Sequence, residues 1–218
     1  MLRRVGHVTQ QGITKSALDT AIRSAHLRLM EWTGLFALAG CFAACFVAAS
    51  TGGVFKPGVW YDNLSKPSWN PPNWLFPVAW LLLYIMIAIA GWLVWMQVGF
   101  APPFWIWVLQ LVLNSTWSVL FFGVRELRLA FIEATVLWCT ILSCVLLFAP
   151  VSVGAAWLMM PYLAWVSFAC LLNWKTWQLN PGPHPIITLA ELKAPSGRAA
   201  RAQRAQEAQR AQRAQRAQ

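Results

Sequence analysis

Charge is scarce in this sequence. Only 11% of its 218 residues are charged, where a soluble domain carries about 25%. The charges are also segregated: residues 32–55, 67–124 and 134–173 contain no Asp, Glu, Lys or Arg. A soluble helical bundle needs a polar face on each helix, and these runs have none, so that class is excluded. A membrane β-barrel needs alternating segments of about 10 residues, and none is present. Histidine is as scarce: His7, His26 and His184 all lie in the flanks, so no His-centred catalytic group falls within the apolar runs. Cys41, Cys45, Cys139, Cys144 and Cys170 lie inside those runs with no CxxC pair. They read as small apolar residues, not as a disulfide framework or a zinc site. The first 31 residues hold no apolar stretch ahead of a small-residue cleavage site, so they do not read as a secretory signal peptide.

What the chain has is apolar length. A spanning helix needs about 20 mostly apolar residues. The first charge-free run fits one span and each of the others fits two. The expected spans are Trp32–Val54, Leu75–Met96, Phe104–Phe122, Leu129–Phe148 and Val153–Leu172, making an all-α membrane protein, a bundle of five transmembrane helices. Three domains follow: a basic extension over 1–31, the membrane domain over 32–177, and a basic tail over 178–218. In the extension Leu18, Ile22, Ala25 and Leu29 recur at helical spacing and suit a short amphipathic helix on the membrane surface.

The stretch Trp60–Trp80 organises the rest. It holds four of the fifteen tryptophans and the prolines Pro67, Pro71, Pro72 and Pro77. Each proline lacks an N–H and fixes φ, and each extends the residue before it. A stiff aromatic loop is expected, serving either as an interfacial anchor or as a lid over a flat aromatic ligand.

Several faces on the spans carry information. The small residues of the first span suit close helix packing with no chemistry of its own. Trp80, Tyr84, Ala88, Gly91 and Trp95 fall on one stripe of the second. Trp107, Gln110, Asn114, Trp117 and Phe121 share a face of the third. Its two amides are costly in a bilayer unless paired, so they either bond between helices or contact a ligand. Glu133, near the start of the fourth span, is expected to snorkel or to pair with Arg125 or Arg128. Pro161 bends the fifth span. Below it Trp165 and Ala169 share a side, and Ala169 leaves room beside the ring. Asn173, Trp174, Lys175, Thr176 and Trp177 are expected to mark the far interface.

From Arg201 the tail repeats Arg-Ala-Gln, with Glu207 in place of one Arg. It lacks the apolar bulk for a core and is expected to be solvated, partly helical or disordered. Twelve of the seventeen Lys and Arg fall on the side of the first loop, the Arg125–Arg128 turn and the C-terminus. Basic residues stay on the cytoplasmic side, so the C-terminus is expected in the cytoplasm and the N-terminus outside.

The motif residues Leu64-Ser65-Lys66-Pro67-Ser68-Trp69-Asn70-Pro71-Pro72, then Trp74, Phe76-Pro77-Val78-Ala79-Trp80 and Tyr84, resemble the first loop and second helix of the TspO/MBR family. That family holds the tryptophan-rich sensory proteins and the mitochondrial translocator protein. Gln110 to Asn114 with Trp117, and Pro161 to Trp165 with Ala169 and Asn173, agree with it in order and spacing. The resemblance implies a five-helix bundle, a homodimer, and porphyrin or haem-type tetrapyrrole as ligand, with sterol-like or benzodiazepine-type ligands in some members. It implies a pocket of Trp69, Trp80, Tyr84, Asn114, Trp117, Trp165 and Ala169. No cofactor is required, no metal is held, and nucleic acid is not an expected partner. Trp174 stands where the family's sterol motif has tyrosine, which disfavours cholesterol and points to a bacterial membrane. A second reading is an enzyme that degrades porphyrin in light through Trp80 and Trp165. The spans hold no acid–base or nucleophile–base pair for conventional catalysis.

Overall fold

The charge-free runs become helices. The computed structural model describes residues 32–55 and 57–188. The expectations for the amphipathic extension and the repeat tail lie outside the described residues. The chain divides into two compact units, 1–40 and 41–218. In the first, the described residues are helical, and the rings of Trp32 and Phe36 stand 6.4 Å apart.

Among the described residues six helices follow one another: α1 Trp32–Val54, α2 Val59–Asn63, α3 Leu75–Val98, α4 Pro102–Ser118, α5 Leu127–Phe148 and α6 Val153–Leu179. A π-helical segment, Val119–Val124, extends α4. Five of these are long and apolar enough to cross a membrane, and no strand occurs among the described residues. The fold is an all-α membrane protein with five spans.

Local chemistry sets the ends. Gly99 closes α3 at φ 58°, where the missing Cβ removes the usual steric penalty. Pro102 and Pro103 open α4, because the first turn needs no N–H there. Ser152 caps α6 by accepting from the Ala155 N–H at 3.3 Å, satisfying one orphan donor. Pro77 sits in the first turn of α3 and is tolerated for the same reason as Pro102.

Three expectations need correction. The stretch ahead of the second span is not all loop: α2 takes Val59–Asn63, ahead of Pro67, while α3 starts at Leu75 as expected. The fourth long helix begins at Leu127, not Leu129. The fifth runs on to Leu179, not Leu172. Lys175 does not stop it, because a long apolar stem lets the ammonium reach out, here toward Gln178 Oε1 at 3.3 Å.

Within the second unit α5 packs along α4 and α6, and α3 along α6. The core joins large side chains such as Ile87, Trp107, Ile141, Phe148, Met159 and Tyr162 to small ones such as Ala88, Gly91 and Ala155. Small residues allow helix backbones to approach closely in lipid. Leu81, Leu82, Val112, Val136 and Leu146 face outward. So much exposed apolar surface is out of place in water and suits a hydrocarbon surround.

Candidate functional site

A cavity of about 1160 Å³ lies within the second unit. Its wall draws on every long helix: Cys45 and Ala49 from α1, Trp80 and Tyr84 from α3, Asn114 and Trp117 from α4, Ala134 and Leu137 from α5, Trp165 and Ala169 from α6. Asn70, Asn73 and Phe76 close it from the proline segment and the start of α3.

Six of the seven residues expected in the pocket stand on this wall: Trp80, Tyr84, Asn114, Trp117, Trp165 and Ala169. Trp69 stands one layer out. It is 47% exposed, and its ring meets Phe168 edge-on at 5.7 Å. Phe168 in turn leans on Trp165 at 6.0 Å.

Aromatic packing fixes the wall. Trp80 lies 5.4 Å from Tyr84 and 6.1 Å from Tyr162. Trp165 meets Phe76 at 5.9 Å, and Trp117 stacks on Phe121 at 4.9 Å. Offset and edge-on pairs of this kind add about 0.5–1.5 kcal/mol beyond burial, so the rings hold their places before anything binds.

One hydrogen-bond chain crosses three helices. Tyr84 Oη donates to Asn114 Oδ1 at 2.6 Å, and Asn114 Nδ2 donates to Tyr162 Oη at 2.9 Å. Asn114 is thus bonded at both ends between helices. Gln110, one turn earlier, is fully buried, and neither amide atom has a hydrogen-bond partner.

Glu133 departs from expectation. It neither snorkels nor pairs: it is buried in α5, and both carboxyl oxygens lack hydrogen-bond partners. The reason is depth. With α5 starting at Leu127, Glu133 lies about 9 Å along the axis, beyond the reach of a short side chain. Arg125 is occupied elsewhere. In left-handed backbone at φ 63°, it donates from Nη1 to Pro185 O at 3.1 Å and sits over the Trp60 ring at 5.1 Å.

Outside the spans, Tyr61 also borders the cavity. Burial, with the Asp62 carboxylate adding to it, pushes its phenol up from the ordinary value, so it remains a neutral hydroxyl at physiological pH. The Lys66 ammonium lies 4.3 Å above its ring and donates to its backbone carbonyl. Among the described residues no group of His, Cys, Asp and Glu gathers to hold a metal.

Two contributions were missed. The first span does more than pack, since Cys45 and Ala49 form wall. Asn173, expected as an interface marker, is 2% exposed and borders the cavity. A signal was available: the Trp165–Ala169 stripe continues to Asn173 and Thr176 at helical steps.

Fold and cavity together define a multi-pass helical membrane protein with a large aromatic chamber between its spans. The TspO/MBR family matches residues 35–178, and the chain belongs to that family. It is 40% identical to Protein CrtK of Rhodobacter capsulatus over 153 residues, covering 66% of this chain and 93% of that one. It is 37% identical to the Tryptophan-rich sensory protein of Cereibacter sphaeroides over 138 residues, 63% and 87% of the two chains. It is 36% identical to the Translocator protein of Ovis aries over 128 residues, 56% and 76%.

Proposed function

We propose that this protein binds a tetrapyrrole, a porphyrin or haem-type macrocycle, within its membrane domain and acts as a sensor or carrier for it. The observation that carries the reading is the position of Trp80 and Trp165 on the wall of one 1160 Å³ cavity. Pockets for drug-sized ligands run to about 1,000 Å³, so this one suits a larger, flat molecule. The macrocycle stacks on indole faces. The reading includes a homodimer in a bacterial membrane, with the C-terminus on the cytoplasmic side, in line with the bias of basic residues.

The test is a titration of purified protein with protoporphyrin, followed by quenching of tryptophan fluorescence. Saturable quenching is expected. Two lost stacking contacts, worth about 1–3 kcal/mol together, predict weakening of roughly 5- to 150-fold in the Trp80→Ala, Trp165→Ala double variant. Equal affinity in parent and variant overturns the site. Illumination of the complex separates binding from chemistry: pigment loss beyond a protein-free control moves the reading to a photo-oxidative enzyme.

A further inference from the structure

Two asparagines border the cavity from the spans, and they are in opposite states. Asn114 has its oxygen taken by Tyr84 and its nitrogen given to Tyr162. Asn173 has an oxygen with nothing to accept from: Oδ1 is buried and has no hydrogen-bond partner, though the residue is 2% exposed and lies on the cavity wall. Buried polar groups are nearly always paired, and each exception calls for an explanation.

The amide's orientation is fixed by its other end. Nδ2 donates to Leu127 O across the α5–α6 seam at 3.4 Å. Turning the amide over would set two oxygens against each other, so the acceptor stays on the free side. Thr176, also on the wall, gives its hydroxyl proton to Leu172 O at 2.8 Å. Glu133 on α5 has both oxygens without a partner. No protein group meets Oδ1 within hydrogen-bond distance, which leaves the donor to whatever fills the cavity.

We infer that Asn173 is the polar specificity residue of the cavity, accepting a hydrogen bond from an N–H or O–H on the rim of a flat, apolar ligand. Asn114 is then a structural amide that holds α3, α4 and α6 in register. The inference rests on the cavity being a ligand site, as proposed above, and not on the ligand being a tetrapyrrole. It selects ligands by a neutral donor: a rim hydroxyl or amide N–H is favoured, and the same group capped with methyl is not.

The test uses 1-hydroxypyrene and 1-methoxypyrene, flat fluorophores that differ at one O–H, on the full-length protein in detergent. The parent should bind the hydroxyl compound more tightly by roughly 3- to 10-fold, the span of one neutral hydrogen bond. Asn173→Ala should erase that preference and leave methoxypyrene affinity in place, a pattern that mere loosening of the helix does not produce. Asn173→Leu, close in volume and without an acceptor, should erase the preference as well. It also decides the matter if the alanine variant fails to fold. No preference in the parent, a preference that survives Asn173→Ala or Asn173→Leu, or no binding of either pyrene overturns the inference. The protoporphyrin titration stands apart and judges the tetrapyrrole reading by itself.

Discussion

The indole of Trp107 on α4 occupies the place where a side chain at Gly91 on α3 would go. A Cβ built on Gly91 falls 2.3 Å from Trp107 Cε2 and 2.7 Å from Cζ2 and Nε1. The ring cannot withdraw easily. It is 1% exposed, stacks on Phe104 at 5.3 Å, and donates from Nε1 to Ile87 O at 2.9 Å, the carbonyl one turn before Gly91. Alanine is the better helix former by about 1 kcal/mol, but overpacking costs about 1–3 kcal/mol, occasionally more. Gly91→Ala is therefore expected to lower the thermal midpoint in detergent. Trp107→Phe in the same chain should recover part of the loss, because residues in contact couple. A Gly91→Ala variant as stable as the parent would mean that α3 and α4 approach less closely than this.

Much of this fold was legible because a bilayer imposes long apolar runs and excludes charge from them. The inward faces were legible too. The Trp107–Phe121 face reads directly from period 3.6, and Trp107, Gln110, Asn114 and Phe121 are all buried. Span ends were less clear, because Lys175 looked like a boundary and its stem lets the helix continue. Trp69 and Trp80 look alike as sequence, and only the path of the chain between Pro67 and Leu75 puts one on the cavity wall and the other a layer outside. The difference between Asn114 and Asn173 is not in the residue type. It depends on which partners arrive from helices far away in sequence, Tyr84 and Tyr162 for one and the Leu127 carbonyl for the other.

Glu133 offers a test of burial against partnership. A buried polar group left without a hydrogen bond costs about 1–3 kcal/mol, and a charged one costs more. Both oxygens of Glu133 are in that position. Glu133→Leu, close in volume and free of polar atoms, is expected to raise stability by about 1–3 kcal/mol. Denaturation in detergent checks it, with Glu133→Gln alongside. Glutamine keeps the shape and the unpaired polar atoms, so it should gain much less than leucine. Destabilisation by leucine would show that the carboxyl makes a contact absent from this structure, and would make Glu133 a candidate for function.

Asn180 closes the end of α6 onto the proline segment. Its Oδ1 accepts from Ser65 N at 2.9 Å, and its Nδ2 donates to Ser65 O at 2.8 Å and to Thr176 O at 2.7 Å. The chain beyond continues the brace. Ile187 N donates to Gly123 O at 3.0 Å, and the His184 ring meets Trp60 edge-on at 5.4 Å. These contacts fall beside Tyr61 and Phe122, which border the cavity, and they lie beyond the family match that ends at residue 178. Ser65 is exposed, so its two bonds to Asn180 add little to the global transition; each contributes about 0.5–1.5 kcal/mol. Their loss should appear as local opening, the low-stability end of the range that amide exchange reports. Asn180→Ala is expected to speed exchange at the Ser65 amide by roughly ten-fold, while amides in the core of α3 and α6 keep the parent's protection. If Ser65 stays protected in the variant, other contacts hold the segment and the Asn180 pair is incidental. If the core amides accelerate as well, the brace belongs to the global fold.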